Sequence, residues 1–117
     1  MHFAISATWG PTDPTRAALP FIFAASALQA GDTVTLMLFH DAVHMATTGT
    51  AEKIVPFGPP PRYTEVVDHA NAKVLVCKPC AEARCLTEAS LDKRVSMAGM
   101  NAFYAAAAQE NARVVCY

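Results

Sequence analysis

The sequence is poor in charge, and what it has is balanced: 16% of the residues are Asp, Glu, Lys or Arg, and the net charge is −1. Binding nucleic acid through phosphates needs a clear basic excess, and no stripe of aromatic and basic residues stands in for one, so no nucleic-acid partner is expected. A Gly/Ser linker and runs of like charge are also missing, and with apolar residues at 53% no disordered tail is expected. No segment is long enough to span a bilayer. The longest apolar stretch, Leu19 to Ala30, follows an acidic, proline-containing lead-in without a basic n-region, and it reads as a core helix of a cytoplasmic protein with no membrane contact. The chain has no glycine loop to cradle a phosphate, no Ser/His/Asp pattern and no paired carboxylates, which sets aside nucleotide hydrolysis and acyl transfer. Internal repeats and low-complexity segments are absent as well.

What is present fits one domain over residues 1–117, large enough for a core without covalent staples. Four cysteines occur, three of them crowded into the nine residues from Cys77 to Cys85. That crowding does not suit a secreted disulfide framework, and reduced thiols with a chemical task are the better reading.

In chain order, His2 to Ala7 forms a first strand, ended by Thr8-Trp9-Gly10-Pro11. Asp13 and Pro14 signal a helix start. Ala17, Phe21, Ala24 and Leu28 then paint one helical face, and Gly31 ends it. Pro20, inside this helix, is expected to bend it. Thr33 to Phe39 is the clearest strand and is nearly all apolar, as a central strand of a parallel sheet would be. Ala42 to Ala46 forms a helical turn or two. From Thr47 to Arg62 the prolines and glycines predict a long exposed connection, a lid or an interface arm. Tyr63 to Ala70 reads as a short helix with Val66 and Val67 inward, Arg94 to Met97 as a brief strand, Met100 to Gln109 as a helix and Ala112 to Tyr117 as a last strand. This alternation predicts a three-layer α/β/α fold around a mainly parallel sheet with right-handed crossovers.

The stretch that carries chemistry is Lys73-Val74-Leu75-Val76-Cys77-Lys78-Pro79-Cys80-Ala81-Glu82-Ala83-Arg84-Cys85. Val74 to Val76 is a buried strand, Pro79 opens a helix, and Cys77 falls at the turn between them. Free amides and the positive end of the helix dipole there, with Lys78 and Arg84 nearby, are expected to favour a thiolate at Cys77. Cys80, three residues on, has the spacing to resolve a species formed on Cys77. Ligands of parallel α/β sheets gather beyond the strand carboxyl ends. Thr8, Trp9, His40, Asp41, Cys77 and Cys116 all fall at such ends, so Cys116 is placed where it could approach Cys77. His40 titrates nearest neutral pH and is a candidate for proton exchange at the cysteine edge, with Asp41 as its partner or as a helix cap. A rival use of Cys77, Cys80 and Cys85 with His40 or His44 is zinc ligation, but a second Cys-x-x-Cys or a paired histidine motif is missing, and no metal or other cofactor is expected.

Ser6-Ala7-Thr8 ahead of a helix opening at Asp13-Pro14-Thr15-Arg16, then Ala30-Gly31-Asp32 leading into Val34 to Phe39, then Val76-Cys77-Lys78-Pro79-Cys80-Ala81-Glu82-Ala83-Arg84, together resemble the DsrE/DsrF-like family of small sulfur-relay proteins. The likeness runs over almost the whole chain, and its most specific part is the cysteine seven residues ahead of an arginine after a buried strand. It implies a parallel sheet of about five strands between helices and assembly into homotrimers or homohexamers. It also implies a sulfur-trafficking role in which the cysteine at position 77 carries sulfane sulfur as a persulfide between donor and acceptor proteins or low-molecular-weight polysulfides. Many members have glycine directly after the arginine, where this chain has Cys85. The resulting expectation is catalytic roles for Cys77, Cys80 and His40, and substrate contacts from Thr8, Trp9, Lys78 and Arg84. Two alternatives stand beside the carrier: a dithiol reductase of small disulfides or polysulfides using Cys77 and Cys80, and a non-catalytic oligomeric binding protein in which the cysteines only pack.

Overall fold

Apolar strands that alternate with one-sided helices can bury both kinds of surface only by stacking helices on a sheet. The computed structural model describes residues 1–54 and 62–117. In it, strands β1 (His2–Ala7), β2 (Thr33–Leu38), β3 (Ala72–Cys77), β4 (Ser96–Ala98) and β5 (Ala112–Cys116) form one sheet in the order β4-β3-β2-β1-β5, every pair parallel. The fold class is therefore α/β with a five-stranded parallel sheet and helices on both sides, as expected. The most apolar strand is the middle one: Val34 to Leu38 of β2 are all buried, as a strand covered on two faces must be.

The helix α1 (Pro14–Gln29) begins as its sequence dictates, with the Asp13 carboxylate accepting the Arg16 N–H at 3.1 Å and Pro14 in the first turn. Ala17, Phe21, Ala24 and Leu28 are buried, and the helix continues through Pro20 to Gln29. Gly31 follows with φ +91°, a conformation that costs glycine little. After β2 come a 3₁₀ segment (His40–Ala46), α2 (Ala51–Ile54) and α3 (Arg62–Val67). The expectation of an unbroken exposed connection from Thr47 to Arg62 is corrected at α2, whose Ala51 is fully buried and gives that turn an anchor. Residues 55–61 of that stretch, with Pro56, Gly58 and Pro59-Pro60-Pro61, lie outside the described residues. On α3, Tyr63 and Val66 are buried while Val67 is half-buried, and the Tyr63 ring packs on Phe21 at 5.2 Å.

Two short helices complete the set, α4 (Lys78–Ala83) and α5 (Met100–Ala107). The steps from β1 to β4 all run one way across the sheet, whereas β4 to β5 returns over it, so right-handed crossovers put α5 on the face opposite α1. Aromatic contacts mark the two layers: Phe3 of β1 meets Phe23 of α1 at 5.3 Å, and Phe39 just past β2 meets Phe103 of α5 at 5.6 Å.

Between α4 and β4 the chain has little regular structure, apart from a 3₁₀ turn at Glu88–Ser90, and it is fastened by charge. Arg94 pairs with Asp92 at 2.7 Å and Asp68 at 2.8 Å, and reaches Glu52 at 3.6 Å. Its guanidinium stands 5.9 Å over the Tyr63 ring, and the Tyr63 hydroxyl donates to Asp92 at 3.0 Å. Hydrogen bonds from Arg94 hold the Asp92 carboxyl down at about 2, and burial is the main cause that pushes the Tyr63 hydroxyl up.

Candidate functional site

The carboxyl ends of β1, β2 and β3 lie side by side, because the register pairs Ala7 with Leu38 and Leu38 with Val76. The residues that follow those three strands therefore share one edge of the sheet.

Cys77 closes β3 and caps the amino end of α4 with extended backbone, φ −61° and ψ 115°. It is buried, 8% exposed, while Cys80 one turn on is half-buried. Three residues apart at the start of α4, the two are neighbours. The expectation of a thiolate at Cys77 is corrected: its thiol is pushed up, first by burial and next by hydrogen bonding to the Cys80 side chain. The Cys80 amide and the charge of Arg84 pull the other way without prevailing. Burial penalises the anion of a thiol, and a helix of six residues supplies only a short dipole against that penalty. Lys78 is exposed in the first turn of α4.

Arg84 sits at the carboxyl end of α4 and is spent on protein partners. Its Nε donates to Asp41 Oδ1 at 2.9 Å, Nη2 lies 2.9 Å from the same oxygen, and Nη1 donates to the Cys80 carbonyl at 3.1 Å. An anion seeking this guanidinium meets a carboxylate already there. The Arg84 hydrogen bond is the largest cause lowering the Asp41 carboxyl below its ordinary range. Cys85 follows with φ +58°, its N–H donating to the Glu82 carbonyl, while the Leu86 N–H donates to Ala81. This is the left-handed helix stop that favours glycine. The Cys85 side chain is exposed.

On the neighbouring strand ends, Thr8, Trp9, His40 and Asp41 line a crevice of about 340 Å³. The Trp9 ring is 41% exposed and carries the Arg16 guanidinium 4.4 Å from its centre. Thr8 donates from its hydroxyl to the Tyr117 carbonyl at 3.0 Å. His40 projects into solvent from a backbone at φ +53°, a strained conformation for a residue with a side chain, and its Nδ1 lies 3.7 Å from Asp41. From His40 a chain of polar contacts runs through Asp41 and Arg84 to the Cys80 carbonyl.

Cys116 does not join them. Strands β3 and β5 are separated by β2 and β1, three interstrand steps or about 14 Å at the usual spacing, which corrects the expected approach of Cys116 to Cys77. Among the described residues no three side chains of the His, Cys, Asp and Glu types gather into a metal-holding group. Two contributions escaped the sequence reading. Asp41 reaches Arg84, forty-three positions away, and Gly10 packs so closely on Asp41 that a Cβ there would fall on the Asp41 carbonyl oxygen. Neither carries a local sequence signal, since both depend on which loops the sheet order brings together.

Fold and site together define a small parallel α/β protein with a buried strand-end thiol and a second thiol one helical turn on. The sequence profile of the DsrE/DsrF-like family matches residues 1–117, and the chain belongs to that family. Solved structures of the same fold include the ychN protein from E. coli, with a TM-score of 0.78 at 17% identity over 100% of this chain and 99% of that one. A protein of unknown function from Methanobacterium thermoautotrophicum, MTH1491, superposes with a TM-score of 0.71 at 12% identity over 99% of this chain and 96% of that one. At these identities the likeness is one of fold. No curated protein matches the sequence.

Proposed function

We propose that the protein traffics sulfane sulfur, holding it as a persulfide on Cys77 and passing it to partner thiols. The observation that carries this reading is the Cys77 sulfur at the carboxyl end of β3, 8% exposed and one helical turn ahead of Cys80, in a chain of a family linked to sulfur relay. In the loading step the Cys77 thiolate attacks a sulfane sulfur, and the donor's S–S bond breaks as its remaining sulfur leaves as a thiolate or hydrosulfide. In the delivery step an acceptor thiolate attacks the outer sulfur and Cys77 departs as thiolate. Since burial raises the thiol, loading requires a proton to leave Cys77 first, and Cys80 is a neighbouring thiol one turn away. A raised thiol also yields a stronger nucleophile once ionised, and the small exposure restricts small thiols from stripping the carried sulfur.

Thr8 and Trp9 in the crevice are proposed to meet the donor or acceptor, with His40 exchanging protons at its mouth and Lys78 offering an exposed cation beside the cysteines. The setting proposed is the cytoplasm, where thiols stay reduced. No helix among the described residues is long and apolar enough to cross a membrane. A homotrimer or homohexamer is proposed with it. Exposed Met100 and Tyr104 on α5 and Val114 on the edge strand β5 are the apolar side chains such assembly would cover.

Intact-mass spectrometry after exposure to polysulfide tests the reading. The wild type is expected to gain one sulfur and Cys77→Ser none; an adduct that persists in Cys77→Ser overturns it. The Cys-x-x-Cys spacing of Cys77 and Cys80 at the start of α4 favours a second reading, a dithiol reductase of small disulfides or polysulfides. That activity predicts repeated turnover in a reductant-fed assay where a carrier transfers its sulfur once.

A further inference from the structure

Three contacts meet at Asp41. Its backbone is packed against Gly10, where no room is left for a side chain. Its carboxylate accepts the Arg84 Nε–H at 2.9 Å, with Nη2 2.9 Å from the same oxygen. Arg84 in turn donates to the Cys80 carbonyl at 3.1 Å. An ion pair this close to solvent adds little to global stability, with the Asp41 side chain 48% exposed and that of Arg84 22%. Its geometry does something else: it joins the loop after β1, the corner after β2 and the last turn of α4, three segments distant in sequence. The helix so tethered is the one whose first residue follows Cys77, and it is only six residues long. A helix of that length has little stability of its own, and tertiary contacts must hold it in place.

We infer that Asp41 is a positioning residue for the cysteine pair: seated on the Gly10 backbone, it holds Arg84 and, through Arg84, the Cys80 carbonyl, and so keeps α4 closed over Cys77. The crevice and the cysteines are thereby linked, because Asp41 lines the one and holds the other. The inference rests on the proposed reading of Cys77 as the working thiol, yet its geometry does not depend on sulfur transfer. A partner that engages Asp41 or draws Arg84 away would uncover Cys77 when contact is made, which gives the buried thiol a route to exposure.

The test is the rate of Cys77 alkylation by iodoacetamide, read peptide by peptide across a pH series. The alkaline plateau reports access and the inflection reports ionisation. Cys116, exposed and three strand steps away, is the internal reference. Asp41→Ala is expected to raise the Cys77 plateau about fivefold, as loss of one local closing contact does. Arg84→Ala should do the same, and the double variant should be no faster than either single one, because both remove one link. Gly10→Ala keeps both charges but displaces the Asp41 backbone, and it too should speed Cys77. An unchanged plateau in Asp41→Ala overturns the inference, as do single effects that multiply in the double variant, or a Cys116 rate that rises in step. A protein that labels in the expected pattern but takes up no sulfur keeps this inference and loses the carrier reading.

Discussion

Arg84 and Arg94 lie ten positions apart and do opposite things. Arg94 gathers three carboxylates, Asp92, Asp68 and Glu52, and stands over Tyr63, so the segment before β4 is bound to α2 and α3 from several sides. Arg84 has one carboxylate, Asp41, and spends its remaining bond on the carbonyl of a cysteine. Losing any one partner leaves Arg94 still fastened, whereas Arg84 is released by losing Asp41. The difference teaches how two arginines serve different ends: the one with several carboxylates holds the scaffold, and the one paired with Asp41 sits beside the thiols.

The strongest way to break that comparison is Arg94→Ala. It leaves Asp92, whose side chain is only 11% exposed, without its counter-charge, and is expected to cost about 2 kcal/mol of stability, between the worth of exposed and buried pairs. Urea unfolding checks the cost, and Cys77 alkylation should stay at the wild-type rate. Acid sharpens the same point. Asp92 in the folded protein ionises at about 2, below the ordinary 3.8, so the folded state binds this proton less tightly than the unfolded state. Its stabilisation is complete above 3.8 and is lost as pH falls toward about 2, and the loss should shrink in Arg94→Ala when urea midpoints are compared across that window.

A smaller effect belongs to Arg84. Its charge pulls the Cys77 thiol down while burial pushes it up, so Arg84→Gln should move the inflection of the alkylation–pH profile to still higher pH. Because the folded-state thiol is raised, its contribution to stability is present below the ordinary 9.0 and is lost as pH climbs through the higher folded value. The least effect is expected from Cys85→Gly. Glycine accepts the φ of +58° that cysteine resists, and part of that gain goes to the greater freedom of glycine when unfolded. Thermal melting should show a stabilisation of about 0.5 kcal/mol.

Much of the scaffold is readable from local pattern. The apolar run of β2, the Asp13-Pro14 start of α1 and the buried strand ahead of Cys77 each follow from residues adjacent in sequence, and each lies where that pattern puts it. The four-residue α2 inside a stretch rich in glycine and proline was not readable, because its anchor is the tertiary burial of Ala51 and not helix propensity. The state of Cys77 was misread for a related reason. The helix start and the nearby cations are visible in sequence, but the depth of burial that outweighs them is set by packing. Asp41 and Gly10 were legible only as a strand-end acid and a turn glycine, since their partners come from other loops. Arg94 likewise finds Glu52 and Asp68 only once the chain has folded.

The central claim is that the buried thiol at the end of β3, and none of the other three, takes up the sulfur. Mapping by peptide mass spectrometry, after brief polysulfide treatment and alkylation, tests it most directly. An alkylated persulfide on Cys77 is expected, and it should persist when a small thiol is added before alkylation. Persulfide confined to exposed Cys85 or Cys116, with Cys77 recovered as free thiol, would contradict it.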